Sequence, residues 1–136
     1  VILSRLSATE RRLHVEFARQ PGRLAVLQLM DEVGFDPQAV DREQMTALQS
    51  AAWFGFSDYV AFYLARPHDL EHRNMYGGTA MGTALHGAQN CPARPRGDYV
   101  ETVRLLLAAG ARIDPKHDLP SIDDALADAF DDLRDG

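Results

Sequence analysis

A chain of 136 residues with 46% hydrophobic and 25% charged residues has the length and balance of one ordinary globular domain. The formal charge of -6 is uneven: from Asp118 onward seven acids meet one base, whereas the residues before it hold thirteen of each, so no basic stripe is offered to nucleic acid. No run approaches the roughly 18 apolar residues of a membrane span, and a lone cysteine, Cys91, excludes an internal disulfide and a cysteine-rich zinc site. The chain opens at Val1 with no basic-then-apolar leader pattern, and these features together point to a reducing cytoplasm.

Self-similarity organises the elements, because a 33-residue period runs through three successive blocks. Gly22 and Gly55 share one register, as do Ala18, Ala51 and Ala84, Thr46 and Thr79, Asp41 and Asn74, and the helix-stopping pair Gly34 and Pro67. In the first block Ser7 and Glu10 form a capping-box pattern that opens a helix running to Gln20; Pro21-Gly22 breaks it before a second helix, Leu24 to Val33. The second block repeats this plan from Thr46. In the third, Thr79 is preferred as the opening residue over Thr83, because it keeps the period and sets Ala84 opposite Ala51. Val100, Val103, Leu106 and Leu107 then mark one helix face, and Gly110 sits where a left-handed stop is needed. Between the helices of this block lies a surplus near 88–98, with Pro92, Pro95 and Gly97, which is expected to project as a loop. Ser121 opens an amphipathic segment, 121–134, with Ile122, Leu126, Ala129 and Leu133 on one side, the pattern of a capping helix.

One helical pair cannot bury its own apolar face, so neighbours must stack. The fold expected is therefore all-α: a helical-repeat solenoid of three helix pairs plus a C-terminal capping helix. It forms a single domain over 1–136, with repeats at about 8–40, 41–73 and 74–116. The run Met45-Thr46-Ala47-Leu48-Gln49-Ser50-Ala51-Ala52-Trp53-Phe54-Gly55 resembles the opening half of an ankyrin repeat, and Leu105-Leu106-Leu107-Ala108-Ala109-Gly110-Ala111-Arg112-Ile113-Asp114 resembles its closing half. The resemblance covers about residues 8 to 116. It departs from the family at Ala47 and Ala80, where the family has proline, and at Gln49 and Gly82, where it has histidine. It also looks like bacterial ankyrin proteins with a variant third repeat. It implies a non-catalytic module that binds another protein through its concave face and finger loops, as a monomer and with no cofactor.

On that implied surface fall Arg42, Glu43 and Met45 on one finger, Trp53 and Phe54 on the lip of the inner helix, and Met75, Tyr76 and His86 in the next block. Large aromatics and arginine are the residues enriched at binding hot spots. Either Trp53 and Phe54 are exposed for a partner, or the proline-rich surplus folds back and covers them. An alternative function uses chemistry: a small enzyme or redox protein built on Cys91, taken as exposed beside Arg94 and Arg96, or on a metal at His68 and His72. The histidine pair sits just after Pro67 in an extended connection, where positions four apart do not converge as they do on a helix.

Overall fold

In the computed structural model, residues 13–113 are described. They form α1 (Leu13–Ala18), α2 (Leu24–Glu32), α3 (Ala47–Phe54), α4 (Ser57–Leu64), α5 (Ala80–Asn90) and α6 (Tyr99–Ala108), with a 3-10 turn at Arg94–Arg96 and no strand among the described residues. The Ser7–Glu10 capping box and the 121–134 capping helix lie outside the described residues. No helix among them is long and apolar enough to cross a membrane.

The helix ends follow from local chemistry that repeats along the chain. Thr46 and Thr79 both stand in extended backbone and accept from the amides of Gln49 and Gly82, which opens α3 and α5; at Thr46 the Gln49 side chain also returns to the Thr46 amide, completing a capping box. Gly55, at φ 67°, closes α3, with the Phe56 amide reaching back to the Ala51 carbonyl. Asp98 opens α6 by accepting from the Glu101 amide. Gly110, at φ 103°, lets the Ala111 amide return to Leu106.

Packing pairs α1 with α2, α3 with α4, and α5 with α6, while α1, α3 and α5 lie side by side as one row and α4 packs on α6 in a second. Small residues line the first row: Ala18, Ala51, Ala52 and Ala84 are all fully buried, which lets the helices approach closely. Behind them Leu27, Tyr59, Val60, Val103 and Leu106 fill the space between the rows. The Tyr59 hydroxyl stitches the first turn by donating to the Gln20 carbonyl at 2.5 Å and accepting from the Arg23 amide at 2.6 Å.

The connections between pairs are built alike. Asp41 Oδ1 accepts from the amides of Glu43 and Met45, and 33 residues on Asn74 Oδ1 accepts from those of Tyr76 and Gly78. The residue three beyond each, Gln44 at φ 58° and Gly77 at φ 79°, takes the left-handed conformation. These two fingers are joined where the Met75 amide donates to the Glu43 carbonyl at 2.8 Å. Gln49, buried under them, donates to the His72 carbonyl at 2.8 Å and the Gly78 carbonyl at 3.2 Å, so one amide ties the second pair to the finger of the third.

The surplus of the third pair does not project as expected. Its first residues prolong α5, and its last ones return over the C-terminal end of α3. The Asp98 amide donates to the Gly55 carbonyl at 2.7 Å, and Tyr99 lies over Gly55 and donates its hydroxyl to the Trp53 carbonyl at 2.7 Å. A Cβ at Gly97 would come within 2.3 Å of the Phe54 carbonyl oxygen, and one at Gly87 within 2.1 Å of the Trp53 carbonyl oxygen, so both contacts demand glycine. The helix end supplies unpaired carbonyls, and the insertion supplies the donors that satisfy them.

His14 is buried in the core with Nδ1 2.8 Å from the Tyr63 hydroxyl, while Nε2 has no hydrogen-bond partner among the described residues. Burial pushes its pKa below the ordinary 6.5, outweighing the opposing pull of the Phe35 backbone, Asp31 and Asp36, with Arg66 adding to the depression. The unfolded chain therefore takes up a proton at this residue before the folded chain does. Stability is full above about pH 7 and declines as pH falls through the ordinary histidine range. The urea midpoint is expected to drop between pH 7.5 and 5.5, with a slope from this group of at most about 1.4 kcal/mol per pH unit, and His14→Gln should flatten that part of the curve. An unchanged slope in the variant would assign the decline to other groups.

Candidate functional site

A groove of about 810 Å³ runs between the two fingers and the sides of α3 and α5 that face them. Of the eight residues singled out in the sequence, Glu43, Met45, Trp53, Phe54, Tyr76 and His86 line it; Arg42 and Met75 do not. The division has a simple geometric cause. Arg42 and Met75 occupy one register position of the two fingers and Glu43 and Tyr76 the next. They are the two central residues of matching turns, closed by the Gln44 amide on the Asp41 carbonyl and the Gly77 amide on the Asn74 carbonyl, so consecutive side chains leave the turn in different directions. Arg42 and Met75 stand in solvent on the outer side, Met75 at 61% exposure.

Each lining group is held by a specific contact. Tyr76, 73% exposed, donates its hydroxyl to Glu43 Oε2 at 2.6 Å, which raises its own pKa, chiefly through that hydrogen bond to the carboxylate. The Trp53 and His86 rings lie 5.4 Å apart, tilted by 35°, and Asn90 Nδ2 reaches the His86 carbonyl at 3.1 Å. Phe54 stacks on Phe56 at 5.4 Å, and Phe56 meets Tyr59 edge-on at 5.1 Å, so that wall of the groove continues into the core. Asn74 Nδ2 donates to Thr83 Oγ1 at 3.2 Å and contacts the Met45 sulfur at 3.1 Å, which locks the finger to α5.

The two fates considered for Trp53 and Phe54 resolve in a mixed way. Both side chains are half-buried and line the groove, while the insertion covers their backbone carbonyls from behind; none of residues 91 to 98 is part of the lining. Groove residues not singled out beforehand include Arg19, Asp41, Asn74 and Gly82. Asp41 and Asn74 were visible as a 33-residue pair, and Arg19 stands at the register position of Ala52, where a lone cation breaks the run of small or apolar residues.

The chemical alternatives lose the features that suggested them. Cys91 is not exposed: it is fully buried, with its sulfur against Tyr99, whose pKa is raised mainly by burial and further by that neighbour. His68 Nδ1 lies 2.7 Å from the Arg66 carbonyl and His72 Nε2 2.8 Å from the Gln44 carbonyl, so each imidazole is held by a different stretch of backbone. Among the described residues no three His, Cys, Asp or Glu side chains gather as a metal site would require. One ion pair occurs among them, Arg66 Nε to Asp31 Oδ2 at 2.9 Å, with the Arg66 guanidinium 3.4 Å from the centre of the Phe62 ring. It is part-exposed and joins the ends of α4 and α2 well away from the groove's lining.

Together these features define an all-helical stack of helix pairs with an aromatic-lined groove. No protein-family model matches the chain, and none of the curated proteins compared with it does. Among solved structures it is similar to one described as a predatory endopeptidase from Bdellovibrio bacteriovorus in complex with an immunity protein. The identity is 32% and the TM-score 0.61, over 74% of this chain and 47% of that one. The chain thus spans just under half the length of that similar chain.

That outcome corrects the ankyrin resemblance drawn from the sequence. The family is not returned by any family model, and the similar structure is described as an endopeptidase with its immunity protein rather than as an ankyrin-repeat protein. The physical reason lies in what carried the resemblance. Threonine at a helix start, alanine where helices touch and glycine at a helix end are demands of any closely stacked set of helical pairs.

Proposed function

We propose that this chain is a non-catalytic protein-binding module, a short solenoid of stacked helical pairs that docks a protein partner in the groove between its fingers and the facing sides of α3 and α5. The observation that carries this reading is the groove itself. Trp53, Tyr76 and His86 face it together, and none of the three is fully buried in the core. Aromatic side chains left in water at a concave surface are the usual anchors of a binding hot spot. The similar solved structure is itself a complex of two proteins, which supports a protein as the ligand and makes a peptidase the first class of partner to try. In this reading the repeats act as one domain in a reducing cytoplasm, a setting that suits a single buried and unpaired thiol.

The test is affinity capture from the native organism's extract, comparing wild type with Trp53→Ala and with Tyr76→Ala plus His86→Ala. Because Tyr76 and His86 are exposed, the second variant should keep its circular dichroism spectrum and melting temperature within the scatter of surface substitutions. Retention of the specific partner is expected to fall by about a hundredfold, the loss of two hot-spot side chains. Undiminished capture by both folded variants would sink the reading.

A further inference from the structure

The groove's finger side is polar in one sense only. Glu43 and Asp41 both line it, and the groove's own cation, Arg19, follows α1 on the preceding pair. The sole ion pair among the described residues is Arg66 with Asp31, so neither groove carboxylate is neutralised by direct contact. Asp41 is committed to the finger, where it accepts from two backbone amides. Glu43 is different. Its Oε2 accepts from Tyr76, its backbone carbonyl from the Met75 amide, and its backbone amide donates to Asp41, yet Oε1 has no partner among the described residues. A carboxylate is thus held in a fixed orientation on an exposed turn with one oxygen presented, and Trp53 and Tyr76 line the same groove.

We propose that this groove receives a cationic side chain, an arginine or lysine of the protein partner, with its charge on Glu43 and its stem against the Trp53 and Tyr76 rings. The inference rests on the reading of the groove as a docking surface and adds the chemistry of what enters it. Three physical arguments select a cation. A negatively charged partner residue would meet two like charges on that side. A neutral one would cover Glu43 and strip its water without replacing it, which is costly for an ionised group. A guanidinium or ammonium instead gains a charge-assisted hydrogen bond from a carboxylate that Tyr76 already holds in place, together with the negative faces of aromatic rings. The orientation is set before binding, so less side-chain freedom is lost on docking. Arginine suits the site better than lysine, since its planar fork can serve the carboxylate and lie flat on a ring at once.

Trp53 is the only tryptophan of the chain, so its fluorescence reports directly on the groove. The 136-residue protein is titrated at low ionic strength with N-acetyl-arginine amide and with the citrulline analogue, which has the same shape and no charge. Glu43→Gln, which can still accept from Tyr76, is titrated in parallel. The arginine compound is expected to change the Trp53 emission saturably, with an affinity at least about tenfold above that of the citrulline compound, and this preference should vanish in Glu43→Gln and weaken with added salt. Equal response to the two compounds, no response to either, or a preference that survives Glu43→Gln overturns the inference. The partner captured above separates the two failures. If its binding is lost in Trp53→Ala but indifferent to Glu43→Gln, the docking surface stands and the cation falls; if Trp53→Ala is also without effect, the docking surface falls first.

Discussion

Gly87→Ala is expected to lower the unfolding free energy by about 3 kcal/mol, the upper part of the range for forcing extra volume into a packed contact. Gly87 lies on α5 against the end of α3, and a methyl group there would come within 2.1 Å of the Trp53 carbonyl oxygen. Backbone cannot yield as a flexible side chain does, so the helices must separate. That separation would loosen Tyr99, which donates to the same carbonyl, and the Asp98 amide, which donates to Gly55 next along. A urea titration read by Trp53 fluorescence measures the loss, and a midpoint within error of wild type would show that the α3–α5 contact is wider than described. Gly82→Ala is the control: Gly82 is half-buried on the same helix but lines the groove, and alanine there should be tolerated or slightly stabilising through its better helix propensity.

Gln49→Ala should be comparably damaging, at about 3 kcal/mol, for a reason that has nothing to do with volume. The side-chain amide closes the capping box at Thr46 and donates to two carbonyls, those of His72 and Gly78, on the connection to the next pair. Alanine leaves buried acceptors without a donor and frees the first turn of α3, so both the helix start and the joint between pairs weaken. Hydrogen exchange is the discriminating measurement: amides of the 72–78 connection are expected to lose protection together with those of α3. Protection lost in α3 alone would mean that the cap matters and the bridge does not.

Much of the fold was legible in the sequence because the same local problem is solved by like residues 33 positions apart. Thr46 and Thr79 do open helices, Ala51 and Ala84 do sit at a fully buried seam, and Gly110 does take left-handed backbone. These are short-range demands, written in a few adjacent residues. What could not be read depends on contacts between distant segments. Nothing local in Pro92 to Gly97 says that this stretch will return to the end of α3, because the partners are carbonyl groups that every residue possesses, and the only sequence trace is glycine at 87 and 97, where a side chain would collide. The burial of Cys91 follows from that same return.

The groove was legible in part, for related reasons. Aromatic residues outside the repeating core pattern drew attention to Trp53, Phe54 and Tyr76. Arg42 and Met75 lie beside them in sequence, yet each is the first central residue of a turn whose second central residue, Glu43 or Tyr76, is the one that lines the groove. Arg19 carries no local mark of its role, because it belongs to an earlier pair and reaches the groove only once the stack is assembled.

The enclosed thiol of the third pair makes the molecule its own gauge of breathing. Cys91 is the chain's single sulfhydryl and is sealed between the prolonged helix and the returning segment. A thiol reagent can meet it only in the moments when that segment lifts away, so the pace of its modification, set against that of a small free thiol, converts directly into the free energy of this one local opening.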